Sequence, residues 1–121
     1  MMRWFAAAAT LAMAAPAAAM DVATFLGKAE ALQAKGPLAL FSSDVGALKA
    51  EAENAGKSLK AERLARVAAR QAPEYCPPSP GSMNSDELLG AMRAIPPAQR
   101  PHVTVRAAMK ALMIRKFPCP S

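Results

Sequence analysis

The two cysteines, Cys76 and Cys119, are the residues of this chain whose chemistry is easiest to foresee. A pair of thiols can form a disulfide, contribute to a metal site, or supply a nucleophile. A structural metal site needs about four ligands, and only one histidine, His102, is present to join them. A nucleophilic cysteine needs a base beside it. We therefore predict a disulfide, which would close a loop of roughly 44 residues and stabilise the fold by about 4 kcal/mol.

The other potentially reactive residues do not form a catalytic or metal-binding set. His102 stands alone in a predicted loop between Pro101 and Val103. Met109 and Met113 have a spacing that would suit a copper site, but two thioethers on one helix are more typical of packing. The carboxylates near residues 51–62 alternate with lysines, as on a solvated helix face, and the scattered glycines form no phosphate-binding loop. We predict no enzymatic activity, no metal and no cofactor.

Residues 1–19 have the pattern of a secretory signal peptide. A basic start at Arg3 is followed by an apolar alanine-rich stretch and by small residues at a cleavable edge. We expect cleavage before Met20 and a periplasmic location, where oxidising conditions favour the disulfide. The chain is 121 residues long, 53% hydrophobic, and carries a formal charge of +6; the signal peptide contributes much of the apolar excess.

The rest of the chain has helical periodicity and no convincing strand pattern. A first helix is predicted to begin at Asp21 and to end at Gly36, because Pro37 prevents its continuation. Residues 38–41 follow as a short apolar segment that we expect to plug the core. Its large side chains are those of Leu38, Leu40 and Phe41.

A long second helix is predicted to open at Ser43 or Asp44 and to run without a break until the prolines that start at Pro73. A break near Gly56 is the alternative. Its first apolar stripe follows heptad spacing and consists of Val45, Leu48, Ala52, Ala55 and Leu59. The apolar residues beyond this stripe lie roughly 100° or more around the axis, so we expect the buried face to change. These residues are Leu64, Val67 and Ala68.

Short helices between rigid turns are predicted for the proline-rich second half of the chain. Asn84 or Ser85 caps a third helix, and a fourth begins near Thr104. The expected fold is an all-α single domain over residues 20–121, a small bundle of about four helices with one intrachain disulfide.

A basic ridge is predicted on the long helix, where cations recur every three or four residues: Lys60, Arg63, Arg66 and Arg70. Such a ridge can attract nucleic acid, anionic lipid or an acidic protein. Export argues against nucleic acid, and no aromatic side chain is interleaved to stack bases, so we predict no nucleic-acid partner. A solvated face is the favoured interpretation, with an acidic partner or lipid headgroups as the alternative.

The second half of the chain also carries an ordered series of motifs. It starts with the aromatic-cysteine sequence at residues 75–78, continues through a capped helix, a proline turn with Arg100 and another helix, and ends with the aromatic-proline-cysteine sequence at residues 117–119. Over residues 73–119 this order resembles the Rap/Tai family of type VI secretion amidase immunity proteins.

The resemblance implies a small all-α periplasmic protein, often a homodimer, that binds a peptidoglycan amidase toxin and blocks the active-site cleft of the toxin with a protruding loop. By position, the turns at residues 77–83 and 97–103 are the candidates for that loop. Their candidate contact residues are Pro77, Pro78, Ser79, Met83, Pro97, Arg100 and His102. Occlusion requires a rigid scaffold and a preordered loop rather than catalytic groups.

Two other functions fit the same composition. A small disulfide-bonded periplasmic chaperone or stress protein would also be helical and exported, and an excess of bases would make it strongly cationic in acid. An envelope-associated structural protein would place its basic ridge on anionic headgroups, and its binding would fall steeply with salt.

Overall fold

Four α-helices form the described part of the protein, in the order expected from the sequence. A computed structural model describes residues 19–78 and 83–120, so Ser79 and residues 1–18 of the predicted signal peptide lie outside the described residues. The helices are α1 (Val22–Lys35), α2 (Ser43–Ala68), α3 (Ser85–Arg93) and α4 (Val105–Lys116), with 3-10 helices at Gly36–Phe41 and Arg100–His102. Within the described ranges the strand-like pairing is one isolated bridge between Asp21 and Thr104. The all-α prediction is confirmed.

Side-chain caps start the four helices. Each cap accepts a hydrogen bond from a backbone N–H of the first turn, which would otherwise lack a partner. The predicted cap Asp21 is confirmed, and of the alternatives Asn84 and Ser85 the cap is Asn84; their oxygens lie 2.8 Å from the backbone nitrogens of Thr24 and Glu87. The fourth helix begins near Thr104, as predicted, and Thr104 is its cap, 3.0 Å from the nitrogen of Ala107. The cap of α2 is Ser42, one residue before the predicted start. At the end of α1, Gly36 has a φ of 57°, a conformation that favours glycine.

The core lies where α1 and α4 pack against α2 and where α3 packs against α1 and α4. Its most deeply buried side chains come one from each helix: Val22, Leu59, Met92 and Val105. Large apolar side chains from all four helices therefore have to pack together for the fold to form. Among the described residues, no helix combines the length and the apolar character needed to cross a membrane.

The long helix α2 is unbroken, as predicted, but its buried face does not change. Leu64 and Val67 are 50% and 52% exposed, so the predicted second buried face is wrong, and Ala68 is exposed as well. The original stripe continues instead through Glu62, which pairs with two cations of α4. Because α4 presents charged groups at this level, the inward face of α2 is closed by ion pairs rather than by apolar packing.

The apolar segment after α1 does not plug the core, so this prediction is wrong. Leu38, Leu40 and Phe41 are 70%, 80% and 88% exposed. The segment is a 3-10 helix, in which residues three apart lie on one line. The line that faces the protein holds the half-buried Ala39 and Ser42, so the large side chains on the other lines point into solvent.

Three hydrogen bonds fix the start of α1. The Val22 N–H donates to the Val103 carbonyl at 2.8 Å, and the Val105 N–H donates to the Met20 carbonyl at 2.9 Å. The Met20 N–H donates to Oε1 of Glu51 at 3.1 Å. The starts of α1 and α4 are thereby joined to each other and to the middle of α2.

Candidate functional site

A covalent and hydrogen-bonded frame joins the end of α4 to the segment after α2 and to α2 itself at Leu59. Cys76 and Cys119 form the predicted disulfide, with 4.8 Å between their Cα atoms. Beside it, the Cys76 N–H donates to the Phe117 carbonyl at 2.8 Å. Tyr75 is buried, and its hydroxyl donates to the Leu59 carbonyl at 3.2 Å. The frame holds α2 and α4 together at this end of the molecule.

An ionic cluster next to this frame consists of Glu62, Arg66, Glu74, Arg106 and Lys110. The Lys110 ammonium donates to Glu62 at 2.7 Å and pairs with Glu74 at 2.8 Å. Arg106 also pairs with Glu62, and Arg66 with Glu74 at 3.5 Å. The hydrogen bonds from Lys110 and then Arg106 lower the pKa of Glu62, and the hydrogen bonds to Glu62 and Glu74 raise the pKa of Lys110. The cluster connects α2, α4 and the segment before Cys76.

We expect the Glu62→Gln variant to be less stable than the wild type near neutral pH, by a modest amount because the pairs are partly exposed. The pKa of Glu62 is lower in the folded protein than its ordinary value of 4.5, so the stabilisation is complete above that value and is lost as the pH falls through the folded pKa. The pKa of Lys110 is raised above its ordinary value of 10.5, so the stabilisation is lost only as the pH rises beyond 10.5. The urea midpoint, measured across a pH series, checks both limits.

The matched control for this variant is Glu53→Gln, on the same helix. Glu53 is exposed and makes no ion pair in the part of the chain that the structure describes. We expect its substitution to leave the midpoint nearly unchanged at every pH. A difference between Glu62→Gln and the wild type that persisted undiminished at pH values far below 4.5 would contradict the assigned role of the carboxylate.

The turn at residues 97–103 is held rigid by Arg100. The guanidinium of Arg100 donates to the Ile95 carbonyl and to the Arg93 carbonyl, both at 2.8 Å. Arg100 therefore clamps the turn to the end of α3, and its Nε and Nη2 atoms are engaged with the chain itself. Pro97 and His102 are exposed on the same turn and are available for contact.

The other predicted turn, residues 77–83, precedes α3. Pro77 is half-buried and Pro78 exposed, whereas Met83 packs against the core. The two turns flank α3, a helix of nine residues, which separates its ends by about 13 Å. Met83 and Pro97 therefore lie beyond opposite ends of α3, and residues 79–82 of the first turn lie outside the described residues.

The predicted basic ridge does not form one free cationic stripe. Lys60 and Arg70 are exposed, but the guanidinium of Arg63 lies 6.0 Å from the centre of the Tyr75 ring. Arg66 belongs to the ionic cluster and also donates to the Ala72 carbonyl at 3.0 Å. Residues three apart on an α-helix are about 60° out of register, so Lys60, Arg63 and Arg66 spread around α2. Arg70 lies two residues beyond the end of the helix, with a φ of 58°.

An exposed apolar tip is the surface that the sequence did not reveal. It consists of Leu38, Leu40 and Phe41, on the 3-10 helix between α1 and α2. The apolar spacing gave no sign of this exposure, because Leu38 and Phe41 continue the stripe of α2 backwards from Val45 at intervals of three and four. The 3-10 helix has three residues per turn, so it breaks the register of that stripe before α2 begins.

A groove with a cavity volume of about 510 Å³ opens between the helices. Its lining is mainly apolar and includes Phe25, Leu48, Leu88 and Met109. Met113 lies in the same lining, so the two methionines with copper-like spacing pack here with apolar side chains.

The described residues contain no group of three or more His, Cys, Asp or Glu side chains placed to hold a metal ion. Comparison of the chain with protein-family models, with curated proteins and with solved structures finds no match in any of the three. The candidate site is accordingly defined by its geometry: the apolar tip, with the turn clamped by Arg100 as a second exposed surface.

Proposed function

We propose that this chain is a periplasmic immunity protein that binds a peptidoglycan amidase toxin and occludes the active-site cleft of the toxin. The observation that carries the proposal is the apolar tip, where three large side chains stand exposed on one short turn. Clustered apolar side chains on a protein surface are typical of sites that bind another protein. Insertion of such a tip into a cleft would exclude substrate and requires no catalytic group.

The turn that carries the tip is suited to this role because it is ordered before binding. Pro37 fixes one backbone angle, and the Ser42 N–H donates to the Ala39 carbonyl at 3.0 Å. An ion pair between Lys28 and Asp44, at 3.2 Å, joins α1 to the start of α2 next to the turn. A turn that is already ordered loses less conformational entropy on binding, which favours affinity.

The proposal that the target is an amidase rests on the resemblance of residues 73–119 to the Rap/Tai family. The aromatic-cysteine sequences at the two ends of that region are the ones joined by the Cys76 to Cys119 disulfide. The resemblance itself points to the turns at residues 77–83 and 97–103, whereas the exposed apolar side chains favour the tip. Variants of the tip and of the clamped turn distinguish these surfaces.

We expect the double variant Leu40→Ser/Phe41→Ser to raise the inhibition constant at least about 100-fold, because central apolar contacts are worth 2 kcal/mol or more each. Its stability should stay close to wild type, since both side chains are at least 80% exposed. The measurement is a peptidoglycan hydrolysis assay in which the protein is titrated against the amidase encoded by a neighbouring gene, together with calorimetric binding.

The matched control is Pro97→Ser/His102→Ser, which removes two exposed side chains from the clamped turn. We expect it to change inhibition less than about threefold, as most contacts outside a hot spot do. A larger loss of inhibition in this control than in the tip variant would assign the contact with the toxin to the clamped turn. A wild-type protein that neither binds nor inhibits any amidase encoded beside it would overturn the proposed function.

A further inference from the structure

The second half of α2 separates its charges between two sides of the helix. Its one carboxylate beyond Glu53 is Glu62, which faces inward and pairs with Arg106 and Lys110 of α4. On the opposite side, Lys57 and Lys60 are exposed and make no hydrogen bond or ion pair within the described ranges. From Lys57 to the end of α2, the charged side chains on the outward side are cations; the nearest exposed carboxylate on that side is Glu53, one turn before Lys57.

Two aliphatic side chains lie among these lysines. Leu64 and Val67 are about half exposed, on the side of α2 turned away from the core. At 100° per residue, the four side chains of Lys57, Lys60, Leu64 and Val67 fall within roughly 80° of the helix circumference. We call these four residues the outer face of α2.

We propose that the outer face of α2 docks the protein on an anionic phospholipid surface. Lysines near such a surface are attracted by its negative potential, and aliphatic side chains between them can enter the headgroup region. A convex helix face that carries lysines and aliphatic groups fits a flat anionic surface better than it fits a shaped acidic cleft. Charge complementarity thus favours anionic lipid headgroups as the binding partner of this face.

The docking does not depend on the proposed inhibition of an amidase. The apolar tip precedes the first residue of α2, and the outer face starts about 22 Å further along the same helix. The two surfaces are therefore separate, and a protein docked through the outer face would keep its tip free.

The experiment uses residues 20–121, which contain the four helices and the disulfide. Sedimentation with vesicles that mix phosphatidylglycerol with phosphatidylcholine should capture the protein, and pure phosphatidylcholine vesicles should not. We expect Lys57→Gln/Lys60→Gln to weaken capture about 25-fold, at about fivefold for each cation. Raising the salt concentration should weaken it further.

The matched control Lys35→Gln/Arg93→Gln removes the same charge from exposed positions on α1 and α3. We expect it to weaken capture less than about threefold. A second pair, Leu64→Ser/Val67→Ser, should weaken capture by vesicles while leaving binding to soluble polyglutamate unchanged. Circular dichroism of each variant establishes that the helices are intact.

Three results would overturn the proposal. One is equal capture by anionic and zwitterionic vesicles, and another is an equal loss in the control pair. The third is tight binding to polyglutamate without capture by anionic vesicles, which would assign the outer face to an acidic protein instead.

Discussion

Replacement of both cysteines by serine is expected to lower the free energy of unfolding by about 4 kcal/mol. The disulfide joins residues 43 positions apart, so its loss frees a long loop and raises the entropy of the unfolded chain. For a domain of this size the melting temperature should fall by roughly 15 to 30 °C. Urea unfolding with and without reductant measures the effect.

The reduced wild type is the internal control for this prediction. Reductant should bring the midpoint of the wild type close to that of Cys76→Ser/Cys119→Ser and should leave the variant unchanged. The hydrogen bond from the Cys76 N–H to the Phe117 carbonyl does not involve sulfur, so it can persist in both. A fully reduced wild type that kept its original midpoint would contradict the stabilising role of the loop.

Leu59→Ala is expected to lower the free energy of unfolding by about 3 kcal/mol, within the range of 2 to 5 for leucines in cores. Leu59 is 1% exposed, and its side chain packs where α2 meets the other helices. Truncation removes apolar contacts and leaves a cavity that close packing cannot fill without strain. The urea midpoint and the slope of the transition together give the change.

Leu64→Ala is the matched control, because it makes the same chemical change five residues along the same helix. Leu64 is 50% exposed, so we expect a change within about 0.5 kcal/mol. The pair also tests which face of α2 is buried. Equal decreases in the free energy of unfolding at Leu59 and Leu64 would support the second buried face that the sequence suggested.

Helix starts could be predicted from the sequence because a cap is a local interaction. Asp21, Asn84 and Thr104 each bond to a backbone N–H three residues further on, so the information lies within one turn. The disulfide was also predictable, since two cysteines have one possible pairing and the predicted export would favour its formation.

The inward face of the second half of α2 could not be read from α2 alone. Hydrophobic periodicity assigns charged residues to solvent and apolar residues to the core, which placed Leu64 and Val67 inside. The opposite arrangement arises because Arg106 and Lys110, more than forty residues away, meet Glu62 across the helix interface. Nothing in the sequence near Glu62 carries that information.

Arg100 shows a similar limit at the candidate site. Its position in a turn suggested a contact residue, but the acceptors of its hydrogen bonds are carbonyls of Arg93 and Ile95 at the end of α3. These carbonyls become free to accept only because the helix stops before Pro96 and Pro97. The role of the Arg100 side chain depends on where α3 ends, and the residue type and position of Arg100 alone do not show this.

The hydrogen bond between the Met20 N–H and Glu51 gives the predicted cleavage site a chemical meaning. If the chain is cut between Ala19 and Met20, that nitrogen becomes an α-ammonium group 3.1 Å from a carboxylate oxygen. Its ordinary pKa is about 7.7 to 8.0, so it would be largely charged at neutral pH. Maturation would thus convert a neutral donor into a cation and turn a hydrogen bond into an ion pair. The precursor and the mature protein would then differ in length and in the contact between Met20 and Glu51, which joins the start of α1 to the middle of α2.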